Sequence, residues 1–177
     1  RSLEGFGAAQ NLTTLDLAFN ELTKLAFPSG LTNLTTLGLG GNLLPDFSFL
    51  SSLPKLTTLS LSAHYRYFIV NPLRRLTLPD GLTNLTTLEL RANLLTDFSF
   101  LRGLPNLITL SLSYNELGSL TLPEGPSRLA TLNLHDNGLT NLTLSGGLSN
   151  LTTLRLSQNR LTDFSFLSGL ASLTTLT

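Results

Sequence analysis

Cysteine, methionine and tryptophan are absent from the 177 residues of this chain, and charged residues make up only 12% of it. Without cysteine no disulfide can tie the ends together, and thiolate metal sites are excluded. Basic and acidic residues number 11 each, so the formal net charge is zero. Because a protein that neutralises nucleic-acid phosphates or an anionic membrane needs a basic excess, we expect no nucleic-acid partner. No apolar run approaches the roughly 20 residues of a membrane helix, so we expect no membrane insertion.

A leucine-based motif recurs along the whole chain. Its pattern is Leu-x-x-Leu-x-Leu-x-x-Asn, and the copy at residues 85–93 shows it in full. The first leucines of the copies are Leu12, Leu34, Leu56, Leu85, Leu107, Leu129, Leu151 and Leu173. Their spacing is 22 residues throughout, except for one spacing of 29 between the third and fourth copies. Such regularity is the signature of a solenoid in which each repeat forms one coil. We number the coils 1 to 7 from Leu12.

Each copy of the motif predicts a short β-strand. In the fourth copy Leu88 and Leu90 alternate with Thr87, Glu89 and Arg91, so the leucines point inward and the other side chains point outward. A strand this short buries its apolar face only when it stacks on like neighbours about 4.8 Å away. The asparagine that closes each motif is predicted to bond backbone groups that the turn leaves unpaired. These asparagines are Asn20, Asn42, Asn93, Asn115, Asn137 and Asn159.

The second half of each coil comes in two kinds. Four coils carry an alternating apolar segment such as Leu76-Thr77-Leu78-Pro79, which favours an extended conformation. Three coils carry Asp-Phe-Ser-Phe-Leu, at residues 46–50, 97–101 and 163–167. The Asp side chain can cap the amides two or three residues later, which favours a single 3₁₀ or α turn. We predict that the phenylalanines of these segments belong to the core.

These motifs resemble the leucine-rich repeat family over essentially the whole chain. The Asp-Phe-Ser-Phe-Leu spans are similar to its 22-residue bacterial, internalin-like subclass. The resemblance implies a right-handed solenoid of about seven repeats. It also implies a parallel β-sheet on the concave face, short extended or 3₁₀ segments on the convex face, and a use mainly in protein recognition.

We predict one leucine-rich repeat domain over residues 1–177. It comprises a partial repeat at 1–11, seven repeats at 12–172 and a partial repeat at 173–177. Neither end has the polar capping repeat that solenoids usually need, so we expect flanking domains or capping repeats, or a partner, to cover Leu173 and Leu176. A surface rich in Thr, Ser, Asn and Gly suits an extracellular or cell-surface protein, and the resemblance favours a bacterial one.

The 29-residue unit carries an insertion at residues 62–70. Nine residues separate Leu61 from Asn71, where two are usual, so the insertion leaves the C-terminal end of a strand at the rim of the concave face. It includes the aromatic and cationic sequence His64-Tyr65-Arg66-Tyr67-Phe68. Loops on rigid scaffolds often carry function, so we predict that this loop contacts a ligand. The alternative is that its apolar end folds back onto the coil.

The outward positions of the strands form columns. The first is threonine throughout, a ladder that can stabilise the sheet through its β-branched side chains and hydroxyls. An ice-binding surface would need a second regular column, but the next one varies: Asp16, Gly38, Ser60, Glu89, Ser111, Asn133 and Arg155. Variation at fixed outward positions is what a binding surface looks like within one chain. Gly38, Gly40 and Gly41 are predicted to leave a recess beside the inserted loop.

The predicted ligand site is a groove between the inserted loop and a polar wall. Its residues are Tyr65, Arg66, Tyr67, Glu89, Arg91, Tyr114, His135, Asp136 and Arg155. We predict no catalytic residue, because adjacent residues on a strand point to opposite sides and no Gly-x-Ser-x-Gly turn accompanies His135-Asp136. Two distant histidines make no metal site, and Gly40-Gly41 lacks the Lys-Ser/Thr of a phosphate loop. We therefore expect no metal and no cofactor.

The function predicted from the sequence is non-catalytic recognition of a protein partner through the concave face and the inserted loop. Tyrosine and arginine would act there as binding hot spots. The alternative is a carbohydrate-binding module. In that case Tyr65 and Tyr67 would stack on sugar rings, while Glu89, Arg91 and His135 would bond sugar hydroxyls.

Overall fold

A parallel sheet of short strands runs through all the coils of the computed structural model, which describes residues 8–27, 31–63, 72–144 and 147–177. In chain order the strands are β1 (Thr14–Asp16), β2 (Thr36–Gly38), β3 (Thr58–Ser60), β4 (Thr87–Glu89), β5 (Thr109–Ser111), β6 (Ser119–Leu122), β7 (Thr131–Asn133), β8 (Asn141–Leu144), β9 (Thr153–Arg155) and β10 (Thr175–Leu176). All except β6 and β8 form the main sheet, in chain order. Equivalent residues of successive coils are paired, so the first-column threonines lie side by side. The predicted solenoid of about seven coils is confirmed.

The core lies directly behind the main sheet and is built almost entirely of leucine. The central residue of most strands is fully buried, as at Leu37, Leu59, Leu88, Leu110 and Leu132. Each such side chain contributes about 1.5–3 kcal/mol when it is transferred from water to the interior. Because each leucine packs against its equivalents in the coils on either side, the core is one continuous column. This packing explains why the 22-residue spacing and the inward leucines recur together.

The closing asparagines form a hydrogen-bonded ladder, as predicted. Nδ2 of Asn137 donates to the carbonyl of Leu134 in its own coil (3.0 Å) and to that of Leu112 in the preceding coil (2.9 Å). Its Oδ1 accepts from the backbone N–H of Asn115 at 2.8 Å. The same two-coil pattern recurs in three other coils, at Asn42, Asn93 and Asn159. Two positions depart from it: Asn20 donates to two carbonyls of its own coil, and Oδ1 of Asn115 is buried without a hydrogen-bond partner.

A left-handed residue precedes the closing asparagine in each coil except coil 3, whose equivalent residue lies outside the described ranges. These residues are Phe19, Gly41, Ala92, Tyr114, Asp136 and Gln158, with φ between +52° and +66°. Only one of them is glycine, and the conformation costs other residues roughly 1–2 kcal/mol. It turns the chain out of the sheet and presents the next amide side chain to the carbonyls that it bonds. The alternation of inward and outward side chains along each strand therefore ends before this left-handed residue.

The three Asp-Phe-Ser-Phe-Leu segments form 3₁₀ turns, at Ser48–Ser52, Ser99–Gly103 and Ser165–Gly169. In each segment the Asp carboxylate accepts from the backbone N–H of the serine two residues later, at 2.8–3.0 Å. The predicted capping role is therefore confirmed. These bonds hold the pKa values of Asp46 and Asp97 below the usual range, because both the serine hydroxyl and the serine amide stabilise the carboxylate.

The alternating outer segments pair only where two of them are neighbours. Those of coils 5 and 6 form β6 and β8, a second parallel sheet of two strands on the convex side. Those of coils 1 and 3 have no strand assignment within the described residues. The reason is that the coils next to them carry 3₁₀ turns, which offer no ladder of backbone partners.

The threonine hydroxyls that form hydrogen bonds in the main sheet belong to a neighbouring column. Within the described ranges the bonding side chains are Thr35, Thr57, Thr86, Thr152 and Thr174. Each donates to a backbone carbonyl of the preceding coil at 3.0–3.2 Å. The first outward column, at Thr36 and its equivalents, therefore supports the sheet through its β-branched shape rather than through these bonds.

The 29-residue coil keeps the register of the sheet. Backbone bonds continue past β3, from Leu61 to Glu89 and from Ala63 to Arg91. The N–H of Leu73 then donates to the closing asparagine of the next coil, as that of Leu22 does in coil 1. The additional residues therefore lie between Ala63 and Leu73, and the greater part of the insertion, residues 64–70, lies outside the described residues.

The phenylalanines predicted for the core are buried to different extents, and the second one of each segment is only partly buried against it. Phe47 and Phe98 are buried as expected, but the equivalent Phe164 in coil 7 is 49% exposed, because the described residues after coil 7 supply no outer segment to pack against it. Leu173 packs against the core, whereas Leu176 is exposed. That flanking repeats or a partner cover these leucines stays a prediction. No helix in the described ranges combines the length and hydropathy that a membrane span requires.

Candidate binding surface

The outward side chains of coils 4 to 7, with those of the partial repeat after them, line a groove of about 550 Å³ on the main sheet. The lining residues are Glu89, Arg91, Ser111, Ser113, Tyr114, Asn133, His135, Arg155, Ser157, Thr175 and Thr177. Five of the predicted site residues are therefore brought together here. Asp136 is not part of this lining, because its left-handed backbone leaves the strand alternation. Tyr65, Arg66 and Tyr67 lie outside the described residues.

Tyr114 organises the groove. The guanidinium carbon of Arg91 lies 4.6 Å from the centroid of its ring, in a cation–π contact. Its hydroxyl lies 3.1 Å from Nε2 of His135, and the two rings meet edge to face with centroids 5.1 Å apart. Nδ1 of His135 in turn lies 2.7 Å from Oγ of Ser157. Four consecutive coils thus contribute one side chain each to a connected Arg91–Tyr114–His135–Ser157 network.

The local backbone explains how this network forms. Arg91, His135 and Ser157 occupy the same outward column of coils 4, 6 and 7. In coil 5 this column holds Ser113, which is small and buried. Tyr114 comes from the next column, where φ of +60° takes its side chain out of the usual alternation. Its ring therefore lies between the columns of its neighbours, in contact with both Arg91 and His135.

His135 is a positioned polar group in this network. Its ring nitrogens face Tyr114 and Ser157, and neither is paired with Asp136. Ser111 and Ser113 hydroxyls lie 3.5 Å from each other. His135 and Asp136 are not strand neighbours, contrary to the expectation from the sequence, because β7 ends at Asn133 and Asp136 is left-handed. Among the described residues no group of three or more His, Asp or Glu is placed to hold a metal.

Glu89 is the acidic member of the groove, and its pKa is raised above its ordinary value of 4.5. The main cause is burial, which disfavours the charged carboxylate, and a hydrogen bond from Ser111 offsets part of the effect. The guanidinium of Arg91 is engaged over Tyr114. The half-buried carboxylate lines the groove, where a hydrogen-bond donor of a ligand can reach it.

We expect Glu89→Gln to stabilise the protein at pH 7 by less than about 1 kcal/mol, because the side chain is partly exposed. The raised pKa of Glu89 means that ionisation is harder in the folded state than in the unfolded state. The free-energy cost of ionising Glu89 in the folded state is therefore absent below the unfolded pKa. It grows as the pH rises from the unfolded pKa through the folded pKa. Urea unfolding at pH 3.5 and pH 7 should show a difference from wild type only at pH 7. Glu116→Gln, at an exposed position, is the control, and a larger Glu89→Gln difference at pH 3.5 would contradict the burial argument.

A second depression of about 420 Å³ lies on coils 1 to 3 of the same face. Its lining comprises Thr14, Leu15, Asp16, Ala18, Phe19, Thr36, Leu37, Gly38, Ser60, Ser62, Ala63 and Arg91. Gly38 lines it, as predicted. Gly40 does not open it, because a side chain there would overlap the backbone of Ser62. Gly41 provides a left-handed turn beneath the ring of Phe19.

The sequence-based site omitted Asp16, Phe19 and Ser157. Asp16 and Phe19 belong to the variable outward positions, and a large aromatic residue in a column of mostly smaller side chains was an available signal for Phe19. No comparable signal distinguished Ser157 from the other serines of the face. Its role depends on where the His135 ring lies.

Comparisons with known proteins agree on one fold. The family model described as "Leucine Rich repeats (2 copies)" matches residues 10–52, 83–124 and 127–169, and the unmatched stretch 53–82 covers most of the 29-residue unit. Internalin C2 from Listeria monocytogenes is a similar solved structure, with 32% identity and a TM-score of 0.72; the match covers 99% of this chain and 74% of that chain. No curated protein sequence matches the chain significantly.

Two further structures resemble only parts of longer proteins. The TLR13–ssRNA13 complex shares 33% identity with a TM-score of 0.79, over 97% of this chain and 25% of that chain. The leucine-rich repeat domain of APL1B shares 27% identity with a TM-score of 0.73, over 99% of this chain and 50% of that chain. These similarities extend along the coils and do not single out any residue of the groove.

Proposed function

Because the chain belongs to the leucine-rich repeat family, we propose that it is a non-catalytic recognition module that binds a protein partner through the concave face of its main sheet. This fold is typical of protein-interaction modules. The observation that carries the proposal is the Arg91–Tyr114–His135–Ser157 network. Tyrosine and arginine dominate binding hot spots, and side chains already held by contacts lose less freedom on association.

The size of the concave face also supports a protein partner. Eight strands spaced by about 4.8 Å give a surface roughly 30 Å long, which matches a standard protein interface. The inserted loop, with Tyr65, Arg66 and Tyr67, belongs to the proposal as a contact at one rim of this surface. One similar structure comes from a bacterium, and the low charge content suits an exposed protein. We therefore retain an extracellular or cell-surface location.

Nucleic acid is the less favoured ligand for this chain. One similar structure contains single-stranded RNA, so the comparisons do not support a general exclusion of nucleic acid for this fold. This chain, however, has no net positive charge, and its groove places Glu89 beside Arg91 and Arg155. Two arginines set against one glutamate offer far fewer cations than the several phosphate contacts by which proteins hold nucleic acid.

Carbohydrate is the second candidate class of ligand, and an experiment must distinguish it from a protein partner. The Tyr114 ring is in contact with two protein groups, the guanidinium of Arg91 over one face and the ring of His135 at a steep angle. In this alternative, Tyr65 and Tyr67 of the inserted loop would stack on the sugar rings, as expected from the sequence.

The test is to probe the protein in parallel against an array of extracellular proteins and an array of glycans. We expect selective binding to a protein, weakened about 10- to 100-fold by Tyr114→Ala, as for a hot-spot residue. Arg102→Ala, in an exposed 3₁₀ turn on the convex side, is the control and should change the affinity less than about twofold. Equal weakening by Arg102→Ala would argue against the concave face. Glycan binding abolished by Tyr65→Ala/Tyr67→Ala, without protein binding, would establish the carbohydrate alternative.

A further inference from the structure

We propose that the depression on coils 1 to 3 is an anchor pocket for the side chain of an arginine or lysine of the protein partner. This inference rests on the proposed function, since it takes the partner to be a protein, and adds one contact of defined charge. Three features carry it: the carboxylate of Asp16, the aromatic ring of Phe19 and the space above Gly38.

The negative charge of Asp16 is directed into the depression. Its Oδ1 accepts the backbone N–H of Ala18 at 2.9 Å, which fixes the carboxylate at the end of β1. A side chain on Gly38 would collide with this carboxylate, so the group leans across β2. Among the described residues the contact made by this carboxylate is with a backbone amide and not with a cation. A basic side chain entering the depression would therefore meet a preformed anionic acceptor.

The nearest basic residue of the lining is oriented elsewhere. Arg91 borders the far side of the depression, but its guanidinium lies over the ring of Tyr114 in the groove of coils 4 to 7. The two depressions of the concave face thus differ in charge. One presents Asp16, and the other presents Arg91 and Arg155 beside Glu89. Such a difference would fix the direction in which a partner lies along the face.

The walls of the depression suit the rest of a long basic side chain. The ring of Phe19 is 54% exposed and stands at the rim, above the backbone of Gly41. Ala18 and Ala63 have short side chains, and Ala18 is partly exposed beside the ring. The methylenes of an arginine can lie along these apolar groups while its guanidinium packs on the ring and reaches the carboxylate. The volume of about 420 Å³ falls within the range of ligand sites.

The test uses N-acetyl-arginine amide as a probe, with N-acetyl-citrulline amide as its uncharged isostere, titrated into the ¹⁵N-labelled protein. We expect saturable shifts of the Gly38 and Phe19 amides with a Kd of about 1 mM for the arginine probe, as its size allows. The citrulline probe should bind at least about fivefold more weakly. Asp16→Asn keeps an acceptor for the Ala18 N–H and removes the charge. It should weaken arginine binding by a similar factor at an unchanged melting temperature.

Equal shifts with both probes, undiminished binding to Asp16→Asn, or shifts confined to coils 4 to 7 would overturn the anchor pocket. Tyr114→Ala separates this failure from failure of the proposed function, because Tyr114 is not in the depression. If the arginine probe does not bind but Tyr114→Ala still weakens a protein partner, only the pocket is wrong. If no protein partner depends on Tyr114, the proposed function fails whether or not the probe binds.

Discussion

Replacing Leu110 by alanine is expected to lower the free energy of unfolding by about 3–5 kcal/mol. Leu110 is fully buried at the centre of β5, with Leu88 and Leu132 paired to it in the neighbouring strands. The change removes its transfer free energy and leaves a cavity that coils held in register on both sides cannot close. Because each coil is stabilised by its two neighbours, a loss at coil 5 weakens both interfaces. Urea unfolding followed by circular dichroism measures the difference.

The matched control for this change is Thr109→Ala in the same strand. Its side chain is outward and partly exposed, so we expect a loss of less than about 1 kcal/mol. Tyr65→Ala in the inserted loop should also have a small effect, since we predict that the loop contacts a ligand. If Tyr65→Ala unfolded the protein as readily as Leu110→Ala, the loop would be part of the core and its proposed role would be wrong.

The architecture could be predicted from the sequence because one periodicity governs strand, core and register together. An inward leucine at every second position sets the face, and the 22-residue spacing places equivalent leucines one coil apart. The 29-residue unit does not disturb this order, because its extra residues follow Ala63, after the ladder bonds of β3. The pairing of β6 with β8 also follows from sequence, since coils 5 and 6 are the only neighbours with two alternating outer segments.

The candidate site could be predicted only as far as strand alternation holds. Glu89, Arg91 and Arg155 are outward residues of the strands or of their direct continuation, and they line the groove. Tyr114 lies in the left-handed column, where a period of two no longer gives the direction of a side chain. Gly40 shows the converse error: an absent side chain was interpreted as open space, but the backbone of Ser62 fills it. The direction of the Tyr114 side chain and the lack of space at Gly40 both depend on contacts between neighbouring coils. The sequence of a single motif copy does not show such contacts.

The second large effect is expected for Asn137→Ala, which should lower the free energy of unfolding by about 2–4 kcal/mol. The side chain is 1% exposed. The change removes bonds to the carbonyls of Leu112 and Leu134, but each carbonyl keeps a second donor, from Asn115 and Asn159 respectively. The larger cost arises at the N–H of Asn115, which donates to Oδ1 of Asn137 and is left buried without an acceptor. A stranded buried donor costs about 1–3 kcal/mol by itself.

Asn115→Ala is the sharpest control for this argument, because the sequence gives the two asparagines the same role. Nδ2 of Asn115 donates to the carbonyls of Leu90 and Leu112, which keep donors from Asn93 and Asn137 after the change. Its Oδ1 accepts no hydrogen bond, so its removal strands no donor and relieves a buried unpaired oxygen. We therefore expect Asn115→Ala to cost about 1–2 kcal/mol less than Asn137→Ala in parallel urea titrations. An equal or larger loss at Asn115 would mean that the stranded amide is not what makes Asn137 costly to replace.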